Sequence, residues 1–189
     1  MMTNDTIVSR VRDVLNEHGG ADGLSIGADR VMLDDYIDRA IADAVVLLAS
    51  KGYSVNEKAL TTADDKGEGR FELPTGFLSL VSAKLESWKR EVKTLAEVGT
   101  PEYAWAMNEY TKPGVNTPVC YKDGDMLVCL PVSTLGTIKV NVVYDGENLN
   151  AEEREANAVV YMAAALVMGF FEDDNGKQRL SNIATEFLQ

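Results

Sequence analysis

The fourteen residues from Ala158 to Phe171, AVVYMAAALVMGFF, carry no charge. With the residues before them they predict a helix over 151–171. Asn150 is its expected N-cap and Glu153 lies three residues on, a capping box with Asn in the usual Ser/Thr place. Glu152, Glu153 and Glu155 fall in the first turns, where the positive end of the helix dipole favours carboxylates. A helix apolar all round must be surrounded by protein or by lipid. Fourteen residues fall short of the roughly 18–20 that span a bilayer, so a buried core helix is expected. One domain of this size leaves room for a face of that helix to be covered by another subunit.

The 189 residues suit a single domain, and 46% apolar residues are ample for a packed core. Thirty acids against 18 bases give a net charge of −12, which repels phosphate backbones and anionic lipid. Specific nucleic-acid binding is therefore not expected, although such a surface suits a wall past which DNA slides. The start, MMTNDTIVSRVRDVLNEHGG, lacks the apolar stretch of a secretion signal, and no run is long enough to cross a membrane. Cytoplasmic synthesis follows as the expectation, and the Asn4-Asp5-Thr6 glycosylation pattern is then chance.

Five helices are expected, at about 4–18, 29–51, 101–110, 151–171 and 177–188. In the first, Ile7, Val11, Val14 and Leu15 share a face, and Gly19-Gly20 stops it before a glycine-rich, flexible connection to Ala28. Asp29 caps the second, whose stripe is Leu33, Ile37, Ala40, Ile41, Ala44 and Leu48, with Gly52 as a left-handed C′ residue. The stretch 54–70 has no periodicity and reads as a flexible polar loop. Thr100 and Pro101 open the third helix as N-cap and N1.

The β-rich parts are expected at about 71–95 and 118–144. Phe71 to Pro74 is extended, Leu78 to Leu85 forms a strand, and Val92 to Leu95 is its partner. Trp88, in the turn between them, reads first as a cap on the core edge and second as a contact residue. Asp123-Gly124 between two apolar runs predicts a tight hairpin that pairs Cys120 with Leu127 and Pro118 with Cys129. That register leaves the two cysteines diagonal, roughly 7–8 Å apart, as free buried thiols. A third strand, Thr137 to Tyr144, completes a small meander. The expected fold is thus α+β, mostly α: one domain over 1–189 with a helical core, a small antiparallel β-element and long polar loops.

Catalytic chemistry is missing from this pattern. His18 is the lone histidine and sits at a helix end, where it suits the dipole. No phosphate-binding glycine loop, dinucleotide fingerprint, nucleophile elbow or metal-ligand spacing occurs. The segment Glu172 to Gly176 fails as a calcium loop because Phe171 and Asn182 would fall on ligand positions. No enzyme activity, cofactor or metal is expected.

The order of features from Phe71 onward is more informative than any one of them. Phe71-Glu72-Leu73-Pro74 and Phe77-Leu78 lead into a strand that ends at Trp88-Lys89-Arg90. Tyr103 follows in a proline-capped helix, then Tyr110-Thr111-Lys112-Pro113, a hairpin, an I-K-V-x-V-x-Y strand and the apolar helix. With the helix at 29–51, this order resembles the head–tail adaptor (connector ring) proteins of short-tailed bacteriophages, including those of the crAss-like group. The resemblance implies a structural virion protein at the head–tail junction, made in the host cytoplasm. It implies a ring, commonly of twelve copies, seated under the portal protein and receiving a further tail or ring protein. DNA would pass through the ring without specific binding, and no membrane is involved. Candidate protein-contact residues are Asp64, Asp65, Lys66, Glu68 and Arg70 in the 54–70 loop, Trp88, Lys112 in the 111–118 segment, and Arg179 and Phe187 on the last helix. Two other readings compete: a tail-completion ring that does not touch the portal, and a small acidic hydrolase or ligand-binding protein.

Overall fold

The computed structural model describes residues 2–18, 30–108 and 110–189. In chain order these form β1 (Met2–Thr3), α1 (Asn4–His18), α2 (Arg30–Ser50), β2 (Glu57–Leu60) and a 3₁₀ turn (Thr62–Asp64). Then come β3 (Arg70–Glu72), β4 (Phe77–Lys84), α3 (Pro101–Met107), β5 (Val119–Asp123), β6 (Met126–Leu130) and β7 (Thr137–Val142). The chain closes with β8 (Asn148–Leu149), α4 (Glu153–Phe170) and α5 (Asp174–Glu186), an α+β fold. The Gly19-Gly20 stop, the connection to Ala28 and the Asp29 cap lie outside the described residues. Packing divides the chain into two units, Met1–Asn56 with Val143–Gln189, and Glu57–Val142, where length alone suggests one.

The helical unit is built on α4, which packs against α1, α2 and α5. Ala156, Ala158, Val159, Val160, Met162–Ala165, Val167 and Met168 are buried on it. Its alanines bury little area each, but they let neighbouring helices come close. Ile7 and Val11 of α1, Ile37, Ile41 and Leu48 of α2, and Leu180 of α5 are fully buried around it. Each such side chain contributes roughly 1.5–3 kcal/mol. Phe170 stays 56% exposed, so the apolar helix is covered on most of its faces and leaves Phe170 partly outside at its C-terminal end.

The cap of α4 differs from the sequence expectation. The N-cap is Glu152, without a side-chain cap bond, and the helix starts two residues later than foreseen. Asn150 is instead drawn away: its N–H donates to Asn56 Oδ1 at 3.0 Å, and Asn56 Nδ2 donates to the Val143 carbonyl at 3.2 Å. At the end of α2, Gly52 takes φ 87°. Its N–H donates to Ala49 and that of Tyr53 to Leu48, the pair of bonds of a Schellman cap.

The strand unit holds two three-stranded antiparallel sheets, β2-β7-β4 and β3-β6-β5. Leu60, Leu80, Ala83, Ile138 and Val140 from the first meet Phe71, Cys120, Leu127 and Cys129 from the second in one core, which also takes in Trp88. Four expectations change here. The stretch 54–70 is not a bare loop: Glu57 to Leu60 pair with Asn141 to Ile138 as an edge strand. An edge strand buries little, here chiefly Leu60, so its sequence shows no apolar period. The meander is also broken up, since β7 leaves the hairpin and inserts between β2 and β4. Pro131, with no N–H to donate, follows β6, and Gly136 passes so close to the Lys84 carbonyl that a Cβ would collide with it. Third, Val92 contributes a single bridge to Ala83, and the chief partner of β4 is β7.

The fourth change is the hairpin register. Asp123 pairs with Met126, Lys122 with Leu127 and Cys120 with Cys129. The two-residue loop is therefore Gly124-Asp125, with Gly124 at φ 61° in the first central position. Among the described non-glycine residues only Glu68 and Glu172 have positive φ, so Asp125 does not. This is a type II′ pattern, in which glycine alone needs the left-handed region. Moving the loop by one residue brings the cysteines directly opposite one another.

Candidate functional site

The candidate contact residues fall into separate places. Five of them lie on one excursion of the strand unit, four between β2 and β3 and Arg70 at the first residue of β3. Asp64 closes the 3₁₀ turn: its Oδ2 accepts from the Thr61 N–H at 2.5 Å and from Thr61 Oγ1 at 2.8 Å. Those bonds, backbone first, hold the Asp64 carboxyl below the usual range. Asp65 Oδ1 accepts from the Gly67 N–H at 2.7 Å, an Asx turn, and Asp65 bridges to Phe71. Gly67, Glu68 and Gly69 then run through three positive φ values, 88°, 54° and 72°. Gly69 is required there because a Cβ would strike the Cys129 carbonyl.

The excursion is laced by exposed ion pairs. Lys66 Nζ lies 2.8 Å from Glu72 Oε2, and Arg70 Nη1 lies 3.2 Å from Asp123 Oδ2. The hydrogen bond to Glu72, then its charge, raises the Lys66 pKa. Such surface pairs contribute little stability, so their value is in orienting side chains. The segment thus presents alternating charges on a fixed backbone, with Glu68 exposed at its tip.

Trp88 does not belong to a contact surface in this fold. It is 2% exposed, and its Nε1 donates to the Pro131 carbonyl at 2.9 Å. A turn residue can be buried when the turn folds back over the core, and here its reading as an edge cap prevails over its place among contact residues. Lys112 is exposed beside a hollow of about 320 Å³ lined by Ala106, Pro113, Leu130, Pro131 and Val132. In the helical unit, Arg179 is exposed on α5. Phe187 is half-buried there, its ring 5.4 Å from that of Tyr161 and its carbonyl bonded by Arg154 Nε.

The sequence reading missed two groups of apolar surface. α3, expected to run to about Tyr110, ends at Met107 and buries no residue. Trp105 is 52% exposed, while Tyr103 packs edge-on to Tyr121 at 5.6 Å. In the helical unit, Tyr36, Phe170 and Phe171 form an aromatic cluster with Tyr36 and Phe170 centroids 4.2 Å apart. With Arg39, Ala40, Asp43, Leu166 and Val167, Tyr36 and Phe170 line a groove of about 210 Å³. Further along α2, Val46 and Leu47 also lie off the buried stripe and are exposed. Among the described residues, no cluster of three His, Cys, Asp or Glu could hold a metal ion. No helix among them is long and apolar enough to cross a membrane.

This arrangement offers charged and apolar faces for proteins to pack on. No curated protein matches the chain. The model of the family described as SU10 adaptor protein matches residues 2–189. The chain therefore belongs to the SU10 adaptor protein family and is a phage adaptor, a structural component of the virion.

Proposed function

We propose that this adaptor forms a ring beneath the portal protein, joins head to tail, continues the DNA channel, and receives a further tail or ring protein. The match to the adaptor family over essentially the whole chain carries this reading. Exposed apolar side chains support it, since a structural subunit needs neighbours for Trp105, Met107, Val132 and Phe170. A ring of one chain uses a heterologous interface, two different patches of the same subunit repeated around an axis. The net charge of −12 suits a lumen that lets DNA move without holding it. Asp64, Asp65, Lys66, Glu68 and Arg70 are the proposed reach toward a neighbouring protein, with Lys112, Arg179 and Phe187 as further contacts.

The test is the mass of the purified chain, alone and mixed with its portal protein, by native mass spectrometry or light scattering. A closed ring, or a monomer that enters a large stoichiometric complex only with portal, is the expected outcome. A monomer indifferent to portal would overturn the portal-seated reading, and binding to another tail component instead would move the protein further down the neck.

A further inference from the structure

We propose that Cys120 and Cys129 are a site of covalent modification: they form a cross-strand disulfide, by exchange with a small disulfide such as oxidised glutathione, that staples the β5–β6 hairpin. The ladder sets the two residues directly opposite one another. Pairs alternate along an antiparallel ladder. Asp123 and Met126, which flank the two-residue loop, are a hydrogen-bonded pair, so Cys120 and Cys129 are a non-hydrogen-bonded pair. Their outward bonds agree: the Cys129 N–H donates to the Gly69 carbonyl and the Cys120 carbonyl accepts from the Ala96 N–H, both at 2.8 Å. Opposed residues of this kind have Cα atoms about 4.5 Å apart, within the roughly 4.4–6.8 Å that disulfides bridge. Both are free thiols, and their sulfurs share a hydrogen bond at 3.1 Å.

The same surroundings keep the pair inert while the hairpin is closed. Both cysteines are fully buried, and the Cys129 contact followed by burial pushes the Cys120 thiol far up, leaving little thiolate. Exchange therefore runs through an opened hairpin. There one thiol loses its proton to solvent, and its thiolate attacks a sulfur of oxidised glutathione and expels one glutathione thiolate. The second cysteine, deprotonated in turn, attacks the protein sulfur of the mixed disulfide and expels the other glutathione. The protein dithiol loses two electrons and two protons, and oxidised glutathione becomes two reduced glutathiones. The new bond holds the register from which Gly69 and Ala96 hang, and so anchors the excursion that carries Lys66, Glu68 and Arg70.

Cytosolic thiols keep such pairs reduced. The site would stay a dithiol during synthesis and assembly and close once the particle leaves the cell; this timing alone rests on the adaptor reading above. The experiment uses the purified full chain in glutathione buffers of graded oxidised fraction, with a parallel sample refolded from urea in the same buffers. Intact mass and thermal melting are read on both. The expected product is lighter by two hydrogens, carries no glutathione, and melts roughly 5 °C higher. Dithiothreitol reverses both changes, and Cys120→Ser or Cys129→Ser abolishes both. A refolded chain that stays a dithiol, that keeps glutathione adducts, or that melts lower when cross-linked overturns the staple. None of those failures touches portal binding. A chain that cross-links in vitro but is trapped as a dithiol by alkylation of purified particles overturns the timing.

Discussion

Glu172 sits at φ 63° just past α4, where the N–H of Asp173 reaches the Met168 carbonyl and its own N–H reaches Gly169. This is the C′ position of a Schellman cap, which glycine occupies without strain. Glu172→Gly is therefore expected to raise stability by about 0.5–1 kcal/mol, read as a higher midpoint in urea at unchanged slope. Tyr144 carries a pH dependence. Its hydroxyl donates to Asn4 Oδ1 at 2.7 Å. Burial, then Asp38, Asp145 and Asp5, push its phenol from 10.0 up to about 12. A folded pKa above the unfolded one means the stabilisation is fully present below pH 10 and is lost as pH rises toward 12. Tyr144→Phe should lose about 1 kcal/mol near neutral pH with the hydrogen bond, and should flatten the alkaline fall in stability. Urea melts from neutral to roughly pH 11 read both effects.

The ends of α4 and α5 show how elements are bounded. α5 begins at Asp174, three residues earlier than expected, because Asp173 supplies an N-cap: its Oδ1 accepts from the Gly176 N–H at 2.9 Å. The acidic run that fails as a calcium loop is thus the start signal of the last helix. Asp173→Ala should cost about 1 kcal/mol and fray the first turn of α5, seen as faster amide exchange there with α1 unchanged. The α4 start lacks such a side chain: its N-cap is Glu152, and the Asn150 N–H donates to Asn56 Oδ1. The hairpin teaches the same lesson. Asp-Gly marks the turn correctly, but whether the glycine is the first or second loop residue sets the register, and local sequence permits both. The choice of Gly124-Asp125 buries Cys120, Leu127 and Cys129 in the strand core and leaves Lys122, 5.4 Å over the Phe77 ring, at its edge.

For the molecule as a whole, the helical unit depends on a polar joint at the point where the chain leaves and re-enters it. Asn56 is 5% exposed and bonds both the Val143 carbonyl and the Asn150 N–H. Asn56→Ala removes both of these buried bonds and should cost about 2 kcal/mol, measured by urea unfolding. Helices α1, α2 and α4 were legible from the spacing of Ile7, Val11, Ile37, Ile41 and Leu48 and from the uncharged run in α4, because burying one face imposes a period on the chain. The order of short motifs through the middle of the chain was enough to indicate the adaptor family. The pairing of strands was not legible. β2 and β7 are separated by most of the strand unit, an edge strand needs no apolar face, and a partner chosen by long-range packing leaves no local mark. The candidate site was legible only as charge and exposure. Burial of Trp88, exposure of Trp105 and the meeting of Tyr36 with Phe170 depend on which surfaces the tertiary packing covers. Sequence by itself determined the helices, the acidic surface and the family; tertiary structure alone decided sheet order, hairpin register and which apolar side chains face outward. The reason is that helix periodicity is set by neighbours a few residues away, whereas strand partners and covered faces are settled between segments far apart in the chain.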